Sequence, residues 1–310
     1  VNDHNRIDRV ETWLGENIMG DMHIVATYTG WRDFGGVMAP SKIVQTRGGW
    51  PFFEVELTAA KANPPDVATL VPPPAPVGGR GGPGAGAPPA PAPMTVTSEK
   101  LGDGLYRLTT GPGSYDSVIV EFKDYVMMLE AGQSQARALA YVAETKKLIP
   151  NKPIRYVMNT HPHADHTGGL PVLVAEGATI ITQKNNEEFL EKALDTPRTL
   201  LSDSLSQNPK KVKIETVAEK RVYSDGTRTV EMYHIFPAPH SNGLIIAYIP
   251  KEKVIFQGDF SVNPGEPAND HVKALVPVLE RLNLDFDRYI NVHASAAPQT
   301  KADVWKAVGK

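Results

Sequence analysis

No cysteine occurs in the 310 residues. That absence excludes a disulfide, a thiolate nucleophile and a thiolate metal ligand, so any metal must rest on His, Asp and Glu. Neither sign of charge dominates: 32 Lys and Arg stand against 35 Asp and Glu, for a formal charge of −3. Such a balance gives no general attraction to nucleic acid or to an anionic membrane, and no nucleic-acid partner is expected. No run approaches the roughly 18 to 20 apolar residues needed to cross a bilayer, so no membrane span is expected either. The patterns GxSxG and GxxxxGK[ST] are missing, which removes the nucleophile elbow and the phosphate loop. Gly78-Gly-Arg-Gly-Gly-Pro-Gly84 is glycine-rich, but no strand leads into it. The N-terminus has no charged stretch leading into an apolar one with a small-residue cleavage site. It opens with Val rather than Met, which fits either a processed or a trimmed chain and leaves the compartment open, periplasmic or secreted being slightly favoured.

Hydrophobic residues make up 41% of the chain, enough to fill a sizeable core. The sharpest boundary is residues 72–93, where Pro, Gly and Ala replace nearly everything that could build a core; this is expected to be a linker. Residues 1–71 before it form a small β-rich segment. His23–Tyr28, Lys42–Gln45 and Phe52–Leu57 are rich in β-branched and aromatic residues and are punctuated by glycine pairs, as in an antiparallel meander. A segment this small is marginal alone, so it is expected to pack on the larger domain, to pack on a second copy and so give a homo-oligomer, or to be part of what was once a longer N-terminal domain.

Residues 94–310 alternate strands with helices. Strands are expected at Leu105–Leu108, Ser117–Phe122, Tyr125–Leu129, Ile154–Met158 and Thr179–Thr182, and helices over Ser134–Leu148, Leu170–Ala175 and Asn186–Leu194. Strand-rich stretches follow at Val212–Val222, Thr229–Ile235, Leu244–Ile249 and Lys253–Phe256, then a helix over Val272–Leu282 and a strand at Tyr289–Val292. The pattern is that of an α/β domain with helices outside its sheets.

The decisive stretch is Tyr156-Val-Met-Asn-Thr-His161-Pro-His163-Ala-Asp165-His166-Thr-Gly-Gly169. A buried strand delivers the chain to a loop bearing three imidazoles and one carboxylate, with a helix beginning beyond them. Three of the chain's nine histidines fall here, with an Asp between two of them, which is hard to ascribe to a chance polar loop. Neutral imidazole and carboxylate are the usual zinc donors when thiolate is missing, and one loop can aim closely spaced donors at two ions. Gly168 and Gly169 are expected to let the backbone turn tightly beside them.

This HxHxDH pattern after a short hydrophobic strand resembles the metallo-β-lactamase superfamily, over roughly residues 94–310. Later motifs appear in the family's order: His240 in Phe236-Pro-Ala-Pro-His-Ser-Asn-Gly243, Asp259 in Phe256-Gln-Gly-Asp-Phe260, and His293 in Ile290-Asn-Val-His-Ala-Ser295. Singly each is weak, since a lone His is more often a hydrogen-bonded core or surface residue and an Asp after a strand is commonly a turn residue. The resemblance implies a four-layer αββα sandwich. It implies two metal ions, zinc before iron or manganese, with His161, His163 and His240 on the first, Asp165, His166 and His293 on the second, and Asp259 bridging both. A shared water or hydroxide would then attack a small-molecule substrate, with Asp165 also catalytic as the proton carrier. Glu130, in Met127-Met-Leu-Glu-Ala-Gly132, stands where the family usually has Asp and is expected to support the metal loop.

The reaction implied is hydrolysis of an ester, lactone, phosphoester or related bond. Absence of Cys together with Asp259 disfavours, without removing, a β-lactam preference. Seventeen residues follow His293, too few for the helical domain of glyoxalase II-like thioesterases. A persulfide dioxygenase with one iron on His161, His240 and Asp259 is the alternative from another reaction class. A metal-stabilised binding protein without turnover is the third.

Overall fold

Period-two alternation along the central strands sorts their side chains into separate cores. The protein is seen in a computed structural model that describes residues 1–66, 94–111, 115–263, 266–293 and 297–310; the linker expected over 72–93 lies outside the described residues. Contacts divide the chain into two units. One holds the N-terminal sheet, and the other joins Gly15–Asp21 to Met94–Lys310.

The N-terminal sheet runs in the order β1 (Arg9–Glu16), β2 (Gly20–Asp33), β3 (Met38–Arg47) and β4 (Trp50–Glu56). Its β2–β3 and β3–β4 pairs are antiparallel, as the meander pattern predicts.

The larger unit contains two sheets. Its first strands are β5 (Thr95–Gly102), β6 (Leu105–Gly111), β7 (Tyr115–Glu121) and β8 (Val126–Leu129), followed by α1 (Gln135–Leu148), β9 (Ile154–Met158), α2 (Ala164–Thr167), α3 (Leu170–Glu176) and β10 (Thr179–Gln183). Then come α4 (Glu187–Asp195), α5 (Ser204–Gln207), β11 (Ile214–Val217), β12 (Lys220–Ser224), β13 (Thr229–His234), β14 (Ile245–Ile249), β15 (Val254–Gln257), α6 (Asp270–Leu282), β16 (Arg288–Asn291) and α7 (Lys301–Ala307). A seven-stranded sheet is ordered β11-β10-β9-β8-β7-β6-β5, and a five-stranded one β12-β13-β14-β15-β16.

In β8, Val126 and Met128 point into a core shared with Ala138, Tyr141 and Val142 of α1 and Leu170, Leu173 and Val174 of α3. Met127 and Leu129 point the other way, into a core shared with Ile245, Ala247 and Ile249 of β14 and with Val254 and Phe256 of β15. On the far face of the second sheet Ile246, Tyr248 and Ile255 meet Val272, Leu275, Val276 and Leu279 of α6 and Val304 of α7. Three apolar layers between four layers of secondary structure make the αββα sandwich, and each wholly buried Leu, Ile or Met within it contributes about 1.5–3 kcal/mol.

Helix boundaries follow local chemistry. Ser134 caps α1 by accepting from Arg137 N, and Lys146 and Lys147 fall in its last turn. Asn269 caps α6 by accepting from Val272 N.

One strand-rich stretch divides. Val212–Val222 yields β11, parallel to β10 in the seven-stranded sheet, and β12, antiparallel to β13 in the other. Its continuous β-prone composition hides the crossing between sheets at Ala218-Glu219. β1, β5, α5 and α7 are additional to the expected elements, their short or largely exposed runs giving little periodic signal. No described helix is long and apolar enough to cross a membrane.

Candidate metal centre

The topology brings one edge of both sheets together. β8 and β9 are parallel, as are β15 and β16, so their C-terminal ends lie on the same side of their sheets; antiparallel β14 begins there. Backbone bonds fix the ends: Glu130 N donates to Met158 O (2.9 Å), Ile245 N to Thr160 O (2.9 Å) and Val292 N to Gln257 O (3.0 Å). The Thr160 bond links the first sheet's motif loop to the second sheet's strand. The loop before β14, which carries His240, is pinned where Asn186 Nδ2 donates to Gly243 O at 2.7 Å.

The seven residues singled out by sequence converge there. Donor atoms of His161, His163, His240 and Asp259 lie within 4.8 Å of one another, as do those of Asp165, His166 and His293. Asp259 faces both groups. Its Oδ2 is 2.7 Å from His240 Nε2 and 3.4 Å from His161 Nε2, while its Oδ1 is 2.9 Å from His293 Nε2 and 3.0 Å from His166 Nε2. Asp165 Oδ2 lies 3.2 Å from His293 Nε2 and 3.4 Å from His166 Nε2.

The donor set fits divalent ions. His166 Nε2 and Asp259 Oδ1 are buried and, although close, are off the line of a hydrogen bond; each lacks such a partner among the described residues. The His161 and His240 Nε2 atoms approach to 3.0 Å, two imidazole nitrogens aimed at one region. Leaving buried polar atoms unsatisfied costs about 1–3 kcal/mol each, which cation binding removes. Burial pushes His161 down to about 4 and also lowers His240, so both offer neutral lone pairs. Burial would raise Asp259, but His161, His166 and His293 outweigh it and hold the carboxyl well below the usual range. The His166 imidazole, 3.4 Å from its carboxylate, holds Asp165 down at about 2. Burial would lower His166, yet Asp165, Asp259 and Glu130 outweigh it and raise the imidazole.

Glu130 is wholly buried and adopts φ 76°, a left-handed conformation uncommon for a residue with a side chain. Its Oε2 accepts from Thr160 Oγ1 at 2.6 Å and lies 3.2 Å from His166 Nδ1. Thr160 Oγ1 is in turn 3.2 Å from His161 Nδ1. In the neutral tautomers whose Nδ1 atoms donate into this network, the Nε2 lone pairs of His161 and His166 face the cluster. The longer Glu thus reaches the motif loop directly.

Two local expectations change. Asp165 and His166 sit inside the short helix α2 rather than in a loop ahead of a helix, because Thr167 N and Gly168 N already close helical bonds to His163 O and Ala164 O. Gly168 and Gly169 have ordinary right-handed torsions, so turning is not their task. A Cβ on Gly169 would stand 2.3 Å from Ala131 O, and one on Gly168 2.3 Å from Gln133 O: close backbone approach demands glycine there. Sequence reasoning passed over Tyr115, whose hydroxyl donates to Asp165 O at 2.5 Å, and His271, whose ring stands edge-on to His240 at 4.9 Å. Neither belongs to a motif; only the fold carries them to the cluster.

Residues 110–298, more than half of the chain, match the model of the metallo-beta-lactamase superfamily, and the chain belongs to that superfamily. Among solved structures it is similar to a metallo-beta-lactamase from Pontibacter korlensis, at 16% identity and TM-score 0.52 over 69% of this chain and 98% of that one. It is also similar to a metallo-beta-lactamase from Hirschia baltica, at 19% identity and TM-score 0.50 over 68% of this chain and 95% of that one. At such identities the likeness shows the fold alone. A relative, the 2,4-dinitroanisole O-demethylase subunit alpha of Nocardioides sp. (strain JS1661), is 24% identical over 205 residues, which are 64% of this chain. The chain spans only 58% of that relative's length.

Proposed function

We propose that the chain is a dinuclear zinc hydrolase in which His161, His163 and His240 hold one ion, Asp165, His166 and His293 hold the other, and Asp259 bridges them. The observation that carries this reading is the division of Asp259, with Oδ2 towards His161 and His240 and Oδ1 towards His166 and His293. One carboxylate presenting a separate oxygen to each of two donor groups suits a bridge. A single iron on His161, His240 and Asp259 would leave the convergence of Asp165, His166 and His293 without a task.

Divalent ions held by these donors would supply a water acidic enough to attack near neutral pH and would polarise the bond under attack. Asp165 is the carboxylate open enough to carry a proton: its side chain is 40% exposed, against 16% for Asp259. It takes the proton released on attack and passes it to the leaving group. Glu130 and Thr160 hold the imidazoles in the tautomer this requires. No serine or cysteine nucleophile is needed.

The substrate class is an ester, lactone, phosphoester or related small molecule. The relative named for demethylating 2,4-dinitroanisole adds nitro-activated aryl methyl ethers to that range. The test is a panel of these substrates, with β-lactams included, run on protein as purified, after chelation and after zinc restoration. Hydrolysis lost on chelation and regained with zinc is the expected result. Oxygen uptake with a persulfide, supported by iron and not by zinc, would overturn the proposal.

A further inference from the structure

Tyr115 touches every member of the second donor group. Its hydroxyl donates to Asp165 O at 2.5 Å and lies 3.3 Å from His166 Nδ1, and its ring stands edge-on to His293 with centroids 5.3 Å apart. Among the described residues it makes no hydrogen bond or ring contact with His161, His163 or His240. A phenol has one proton to give. With that proton on Asp165 O, its oxygen stands 3.3 Å from His166 Nδ1 as a second acceptor beside Glu130 Oε2 at 3.2 Å, favouring the tautomer whose Nε2 lone pair faces the cluster.

The side chain is itself rigidly held. Tyr115 begins β7, pairs with Thr110 of β6, and is 2% exposed. Its carbonyl accepts from Tyr141 Oη at 2.5 Å, and the Arg137 guanidinium carbon lies 5.2 Å from its ring centre. Arg137 is anchored in turn by donating to Thr110 Oγ1 at 2.6 Å. Both Arg137 and Tyr141 belong to α1. The next residue of β7 completes the arrangement: Asp116 N donates to Val292 O at 2.7 Å, one residue before His293. The start of β7 therefore fixes both the α2 turn that carries Asp165 and His166 and the strand end that carries His293.

We infer that Tyr115 is a positioning residue for the second ion alone, setting the affinity of the Asp165–His166–His293 group without altering that of the first. This rests on the two-ion reading above. Loss of one supporting contact behind a ligand weakens metal affinity by about tenfold to a hundredfold. Here that loss falls on one ion of two.

The experiment titrates zinc into chelator-treated full-length protein against a competing zinc dye and follows the two stepwise affinities. Tyr115→Phe removes one oxygen and keeps the ring. It should weaken the weaker step about tenfold or more and leave the tighter step unchanged. Tyr248→Phe, which deletes another buried hydroxyl whose bond goes to Asp285 O at 2.6 Å, should change neither step. Arg137→Lys loosens the ring from behind and should weaken the same step as Tyr115→Phe. Should Tyr115→Phe not fold, the comparison rests on Arg137→Lys, and an unchanged weaker step in that variant overturns the inference. Equal loss of both ions, or no loss, in Tyr115→Phe also overturns it. A wild-type chain that binds one zinc shows instead that the two-ion reading has failed, and the inference falls with it.

Discussion

Asp259 carries more of the centre's charge balance than any other side chain, because each of its oxygens faces a different pair of imidazoles. Asp259→Ala should therefore lose both ions and lower turnover by about a hundredfold or more. Asp165→Asn keeps the shape but not the proton-carrying capacity, so it should lower turnover more than it lowers occupancy of the His161–His163–His240 group. Metal content and turnover measured on the same preparations separate these defects, and full activity of Asp165→Asn with both ions bound would remove its proton-transfer role. Glu130→Ala removes the buried carboxylate that accepts from Thr160 and faces His166 Nδ1. It should cost about 1–3 kcal/mol of stability, read by denaturant unfolding with chelator present. The seven cluster residues were legible in the sequence because donors of a few chemical types recur at strand ends in fixed order. Tyr115 was not, because an aromatic residue opening a strand looks like any core residue until β7 is seen to pair with the chain before His293.

At the scale of elements, the α2–α3 junction is held by steric closeness rather than torsion. Gly169→Ala would press a methyl against the Ala131 and Gly132 carbonyls, backbone atoms that cannot swing aside. A destabilisation of about 1–3 kcal/mol is expected, with metal affinity falling as α2 shifts, and a melting temperature equal to wild type without metal would contradict it. Most long elements were legible because α1 repeats buried positions at helical spacing (Ala138, Tyr141, Val142, Thr145) and β14 and β15 are short, continuous apolar runs either side of Pro250-Lys251-Glu252. The break between β11 and β12 was not, since alternation says which face of a sheet a residue takes and not which sheet the strand joins. The helical turn of α2 was hidden for a related reason: its residues Ala164–Thr167 include two of the cluster donors, whose placement follows from backbone bonds to His163 and Ala164 rather than from an apolar stripe.

At the scale of the molecule, we propose that residues 94–310 form the metal-binding unit, and Gly15–Asp21 makes the test of that boundary specific. Ile18 is 4% exposed within the core beneath α1 and α3. Arg198 donates to the Asn17 and Ile18 carbonyls while paired with Asp203. Deleting residues 1–93 should thus lower stability by about 1.5–3 kcal/mol from lost Ile18 burial alone and leave metal stoichiometry unchanged. A truncated protein that folds yet cannot load metal would refute the boundary. The claim on which the rest depends is that two ions share Asp259. Anomalous diffraction at the zinc edge, from crystals of the full chain grown with zinc, tests it most directly. Two peaks about 3.5–4 Å apart should appear, one among His161, His163 and His240 and one among Asp165, His166 and His293, with Asp259 touching both. A single peak on His161, His240 and Asp259, with Asp165 and His293 turned away from it, would contradict the account.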